Sequence, residues 1–296
     1  MADMRRATVA LALVSAALVL AACGKGASAP ISRDVVKVKV GPERILSGPK
    51  DLIAAGEPQP DGKVWALAGS PSTGLFEISS SSGQMMGSVS VSNSARSVAV
   101  SAAGTIAVAL GTAGSGALEL LDGRTAKVVR VVALPAPARQ VTAGRDGTTF
   151  YVLTRWATAA SVTIVNSLNG KISASIPVPV DTVSIAPDAH QTTLYALQEN
   201  GLVDEIGISG GKVIAQFSVG DDGESMALSP DGSTLYVLKG TPDVSNIAVV
   251  DLSTESVRRV LPSPSHCLEL LVSASGSQLY EVVGAPGYGN IQVFAA

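Results

Sequence analysis

Ala227-Leu228-Ser229-Pro230-Asp231-Gly232-Ser233-Thr234-Leu235-Tyr236-Val237 reads as the end of one apolar strand, a tight turn and the start of a second. Asp and Gly suit such a turn because tight hairpins require positive φ. The same unit recurs outward in both directions. It appears as Pro60-Asp61-Gly62, Ala102-Ala103-Gly104, Arg145-Asp146-Gly147, Pro187-Asp188-Ala189 and Ala274-Ser275-Gly276. From Gly62 to Gly276 the third positions lie 42, 43, 42, 43 and 44 residues apart. A residue that packs follows each turn: Trp65, Ala107, Tyr151, Tyr195, Tyr236 and Tyr280. A second marker keeps step. Ser79, Asp122, Asn166, Gly207 and Asp251 end a strand, and four residues later Gly83, Ala126, Gly170, Gly211 and Glu255 end a turn.

Each unit carries four short apolar runs. In the fifth they are 225–228, 234–238, 246–250 and 256–261. Runs of this length, rich in Val, Ile, Leu and Tyr and bounded by Asp-Gly, Pro and Ser, are strands. Four strands in a unit of about 40–50 residues make a propeller blade. The expected fold is all-β: a β-propeller of four-stranded blades packed face to face around an axis.

Residues 227–237, with Ile247-Ala248-Val249-Val250-Asp251-Leu252-Ser253-Thr254, resemble the YVTN-type propeller repeat. The resemblance spans residues 35–295 and is strongest in unit five. It implies a propeller working outside the cytoplasm and assigns no chemistry.

Six blades are expected, with seven as the alternative because unit one is irregular around residues 52–60. Unit six lacks its outermost strand. Val35-Val36-Lys37-Val38-Lys39-Val40 is a strand without a unit, so residues 35–40 are expected to complete the last blade and close the ring. Closure hides edges that would otherwise promote aggregation.

The N-terminus reads as an export signal. Arg5 and Arg6 precede an apolar run, Ala7 to Leu20, which is short for a membrane span. Leu20-Ala21-Ala22-Cys23-Gly24 then resembles a bacterial lipobox. That resemblance implies cleavage before Cys23 and acylation of its thiol and amine, anchoring the protein by its lipid. Residues 1–22 are therefore expected to be a signal peptide. Residues 23–34 hold the lipidated cysteine and a flexible tether, and residues 35–296 form the propeller. The expected location is the membrane surface facing the periplasm or cell exterior.

Composition agrees with a folded domain. Of 296 residues, 46% are hydrophobic and 15% charged, too apolar for disorder. The formal charge of −3 offers no basic excess to neutralise phosphates, so nucleic acid is not expected as a partner. With Cys23 acylated, Cys267 has no intrachain partner and is expected to pack as a small apolar residue.

The innermost strand of each blade lines the axis. Eight positions before each third turn residue stand Arg96, Arg139, Asp181, Glu224 and Leu268. Four charges of both signs at one repeated position imply either a polar binding ring at the channel mouth or paired charges that plug it. Loops on the same face add Arg155, Trp156, Gln198, Glu199, Asp221, Asp222, Lys239, His266 and Tyr288. The binding set is thus Arg96, Arg139, Asp181, Glu224, Arg155, Trp156, Asp221 and His266.

Other features read as structural. His190 is a solvated turn residue, Met85-Met86 fill space at a blade edge, and the recurring tyrosines pack between blades. Asp221-Asp222-Gly223-Glu224 lacks EF-hand spacing and reads as a surface turn. There is no P-loop or dinucleotide fingerprint. No catalytic residue, metal or cofactor is assigned, and a monomer is expected. The function expected is binding or scaffolding at the envelope, with a protein, peptide, glycan or small ligand at the mouth. The alternative is a metal-dependent, lactonase-like hydrolase using Asp181, Asp221, Glu224, Gln198 and His266.

Overall fold

The computed structural model describes residues 42–69, 73–241 and 243–296. It contains 24 strands and no helix among the described residues. The chain enters on β1 (Arg44–Ser47). Blade 1 follows as β2 (Leu52–Ala55), β3 (Lys63–Gly69), β4 (Thr73–Ser79) and β5 (Met85–Ser90). Blade 2 is β6 (Ala95–Val100), β7 (Thr105–Gly111), β8 (Gly116–Asp122) and β9 (Val128–Leu134). Blade 3 is β10 (Ala138–Ala143), β11 (Thr149–Arg155), β12 (Ala160–Asn166) and β13 (Ile172–Val178). Blade 4 is β14 (Thr182–Pro187), β15 (Thr193–Gln198), β16 (Leu202–Gly207) and β17 (Lys212–Ser218). Blade 5 is β18 (Gly223–Leu228), β19 (Thr234–Thr241), β20 (Val244–Asp251) and β21 (Ser256–Ser263). Blade 6 is β22 (Cys267–Val272), β23 (Gln278–Ala285) and β24 (Tyr288–Ala295), completed by β1. Every sheet is four-stranded and antiparallel; blades 1 to 5 are meanders, and blade 6 is a three-stranded meander with β1 added at its edge.

An N-terminal strand does close the ring, but it is not the expected one. Arg44 pairs with Val293, Ile45 with Gln292, Leu46 with Ile291 and Ser47 with Asn290. Residues 35–40 lie outside the described residues, and the edge position assigned to them is filled by β1. The reason is packing. Leu46 is fully buried in the seam between blades 6 and 1, with Leu52, Val64 and Ile78 on one side and Leu271, Tyr280, Val282 and Ile291 on the other. The link from β1 into blade 1 is also tight. A Cβ at Gly284 would strike the Leu52 carbonyl, and one at Gly289 the Pro49 carbonyl.

Buried apolar residues form one cluster at each of the six junctions between neighbouring blades. This is what a sheet with two apolar faces requires, and the alternation along each strand supplies both faces. Tyr151, Tyr195, Tyr236 and Tyr280 are buried in these junctions, as expected. Met85 and Met86 are not space-fillers. They stand exposed on the outermost strand of blade 1, as Val129, Val131, Ile214 and Val260 do on other outer strands.

The turns behave as their chemistry dictates. Gly62, Gly104, Gly147, Gly232 and Gly276 have positive φ, and so do the five turn-ending residues of the second marker, Gly83, Ala126, Gly170, Gly211 and Glu255. The turn aspartates accept backbone N–H donors two or three residues ahead, as Asp146 does from Thr148 and Thr149, both at 2.9 Å. Ser229 and Ser233 donors likewise hold the Asp231 carboxyl below the usual carboxylate range.

Candidate binding face

Each innermost strand carries a bulge where it meets the second strand of its blade. A bulge aims one extra side chain off the ladder. Here the extra residues are Ile53, Arg96, Arg139, Val183, Glu224 and Leu268, and all six line one axial depression of about 130 Å³. The repeated ring therefore exists, with a correction in blade 4. Val183, not Asp181, holds the ring position. The turn of blade 4 is two residues longer, and Gln191, at φ 56°, does the work that glycine does elsewhere. Eight residues before Gln191 is Val183. Asp181 instead precedes the strand, and its carbonyl accepts the Glu199 N–H at 3.1 Å. Asp222 and His266 hold the same station in blades 5 and 6, accepting from Gly240 at 2.9 Å and Gly284 at 3.0 Å.

The ring is not a plug of paired charges. Among the described residues, no ion pair joins Arg96, Arg139, Asp181 or Glu224. Arg96, Arg139 and Glu224 are exposed. Arg96 Nε donates to the Gly111 carbonyl at 3.4 Å. Though the residue as a whole is exposed, partial enclosure of its carboxyl by protein, then the negative charge of Glu199 and Asp222, pushes Glu224 above its ordinary pKa.

What joins the innermost strands lies one residue deeper. Val141 N–H donates to Ser97 Oγ at 3.1 Å, Ile185 N–H to Gln140 Oε1 at 2.7 Å and Met226 N–H to Ser184 Oγ at 3.1 Å. Leu270 N–H donates to Ser225 Oγ at 3.2 Å, and Ala55 N–H to Glu269 Oε2 at 3.0 Å. Each bond runs from the inner strand of one blade to a side chain on the blade before it. Five of the six junctions are tied this way. The sixth has Ala54 in the side-chain position. A strand edge turned toward the axis would leave its N–H groups unpaired, and this belt satisfies them.

Below the belt a cavity of about 50 Å³ is lined by Glu57, Gln140, Arg145 and Glu269, among others. Both residues are partly buried, with their carboxyls set among protein atoms lining this cavity. Burial, opposed by the Ala55 N–H bond and assisted by the charge of Glu57, pushes Glu269 up to about 8. Burial also raises Glu57, against the pull of Arg145. Neither acid was singled out from the sequence. For Glu269 a signal is present, since Ser97, Gln140, Ser225 and Glu269 each stand seven residues before a turn glycine; Glu57 shares no such spacing.

The mouth-face loops assemble the other expected residues in part. Arg139, Arg155, Trp156 and Asp181 line one open groove of about 480 Å³, with Glu199 at its side. Arg155 Nη1 lies 3.7 Å from Glu199 Oε1 and donates to the Val180 carbonyl at 3.4 Å. Trp156 is 42% exposed. Asp221, His266 and Tyr288 are exposed but line neither the groove nor the axial depression. Lys239 is tied to the Val219 carbonyl at 2.6 Å. Gln198 is no loop residue: it is buried, and its Nε2 donates to the Asp204 carboxylate at 3.0 Å. The residues named for a hydrolase are thus spread over three blades, and no group of three or more metal-ligating side chains is gathered among the described residues. Cys267 is enclosed, and burial with the nearby Glu281 charge pushes its thiol up to about 12. Cys23 lies outside the described residues. His190 is exposed in its turn, as expected.

Six four-stranded sheets around a lined axis define a six-bladed β-propeller. Comparison with solved structures agrees. A chain titled Kuenenia stuttgartiensis hydrazine synthase is similar with a TM-score of 0.67 and 15% sequence identity, covering 83% of each chain. At that identity the likeness concerns the fold. No family model matches the chain, and no curated protein matches it in sequence.

Proposed function

We propose that the chain is exported, acylated at Cys23, and held at the cell envelope as a binding or scaffold propeller. It contacts its ligand or partner on the mouth face. The observation that carries this reading is the groove. Arg139 on the β10 bulge, Arg155 and Trp156 at the end of β11 and Asp181 just ahead of β14 belong to two blades, yet they line one open concavity on the face where the mixed-charge ring opens. Arg139 and Asp181, left without ion-pair partners among the described residues beside an exposed indole, suit recognition better than packing.

Two measurements test it. Metabolic labelling with a radioactive fatty acid should mark the wild-type protein and not Cys23→Ser, and the variant should leave the membrane fraction. A photo-crosslinking residue at position 156 should capture a specific adduct in membranes, while one at exposed Arg124 should not. Equal capture from both positions, or none from 156, would remove the mouth face from the account.

A further inference from the structure

We infer that the mouth-face groove spanning blades 2 to 4 takes a neutral oligosaccharide; this rests on the reading of the mouth face as the binding surface. Its volume of about 480 Å³ lies within the usual range of small-ligand sites, about 300–1,000 Å³. Its lining is balanced in charge. Two guanidinium groups, Arg139 and Arg155, face two carboxylates, Asp181 and Glu199, around the indole of Trp156.

The balance decides the chemistry. A phosphate or carboxylate ligand would gain from the arginines and lose to Asp181 and Glu199. An amine would meet the converse. A sugar hydroxyl is both donor and acceptor, so it satisfies each kind of group without importing charge. Arginine donates only, and an ionised carboxylate accepts only. Adjacent hydroxyls on a pyranose ring can therefore bridge an arginine to an acid. Arg139 and Asp181 are free for this, because neither makes a side-chain ion pair among the described residues.

The indole supplies the other half of recognition. A pyranose presents a face of C–H bonds, and a flat aromatic surface covers that face at low conformational cost. Trp156 stands on a loop with its ring exposed. Its backbone is fixed, since its N–H donates to the Ala159 carbonyl at 2.8 Å and the N–H of Arg155 donates to Pro137 at 2.9 Å. The Arg155 contacts to Glu199 and Val180 hold the groove wall in advance of the ligand, which lowers the ordering cost of binding.

The test is a tryptophan-emission titration of the full chain with neutral oligosaccharides: trimers of glucose, galactose, mannose and N-acetylglucosamine. The chain has two tryptophans, and Trp65 is only 4% exposed, so a ligand-induced change reports on Trp156. The expected result is saturable binding of at least one trimer, with affinity unchanged between low and high salt. It should weaken at least about tenfold in Asp181→Asn or Arg139→Gln and be followed calorimetrically as lost in Trp156→Ala. Unchanged melting temperatures confirm that the variants are folded. Saturation by none of the trimers, or equal binding by Trp156→Ala, overturns the inference. So does preferential, salt-sensitive binding of a charged peptide. If the trimers fail while position 156 still crosslinks a specific partner, the mouth face stands and only the ligand class falls. If both fail, both readings fall.

Discussion

Replacing Glu269 by Gln isolates the energetic consequence of putting a carboxyl beside the axis. Gln keeps an oxygen to accept the Ala55 N–H, now at 3.0 Å from Glu269 Oε2, and it removes the ionisation. In the folded protein Glu269 releases its proton near 8, whereas in the unfolded chain it does so near 4.5. Between these values the folded state holds a proton that the unfolded state has lost. The native state is therefore favoured fully below pH 4.5, and the advantage drains away as pH rises toward 8. Each pH unit in that window costs the wild type about 1.4 kcal/mol relative to the Gln variant. From pH 5 to pH 7 the stability gap should move by up to about 3 kcal/mol in favour of Glu269→Gln. Urea denaturation at fixed pH steps reads it directly, since Glu281, also pushed up to about 8 by burial, is common to both proteins and cancels. A gap that stays constant from pH 5 to pH 8 would refute the reasoning, because it would mean that the carboxyl is ionised at ordinary cost.

Further outcomes follow from the packing. Leu46→Ala should cost about 2–5 kcal/mol in urea denaturation, because the side chain is fully buried in the closing seam, while exposed Ile45→Ala should cost under about 1 kcal/mol. Ser225→Ala leaves the Leu270 N–H without its acceptor and should cost about 1–3 kcal/mol, measured in the same assay. With Cys23 replaced by Ser, the Cys267 thiol should stay inert to a disulfide reagent at pH 8 and react at once in denaturant, because burial holds it protonated.

The repeat is legible in the sequence because two requirements recur: a residue tolerant of positive φ at each turn and an apolar or aromatic residue packed between sheets. The errors fell where local pattern and global geometry diverge. Val35–Val40 alternates more cleanly than Arg44–Ser47, yet closure depends on reaching the seam beside Leu52, and Leu46 does that. Pro187-Asp188-Ala189 imitates Pro230-Asp231-Gly232, and counting from it points to Asp181 in place of Val183. The better guide is the donor pair after the turn. Thr192-Thr193 follow Gln191 as Ser233-Thr234 follow Gly232, and both threonine N–H groups bond Asp188, at 2.7 and 2.9 Å. Glu57 and Glu269 lie more than two hundred residues apart, and only ring closure brings them into one cavity. The groove is likewise a product of successive blades, and no spacing rule in the chain announces it.

Closure of the ring by β1 is the claim on which the axis, the belt and the mouth face all depend. Cysteines placed at Ile45 and Gln292, which face each other across the last sheet, test it. Mild oxidation of that double variant should give a near-complete intramolecular disulfide, while a pair at Ile45 and Ile172, on the outer strand of blade 3, should give none. Failure of the first pair to bridge, or equal bridging by the second, would contradict a ring sealed at residues 44–47.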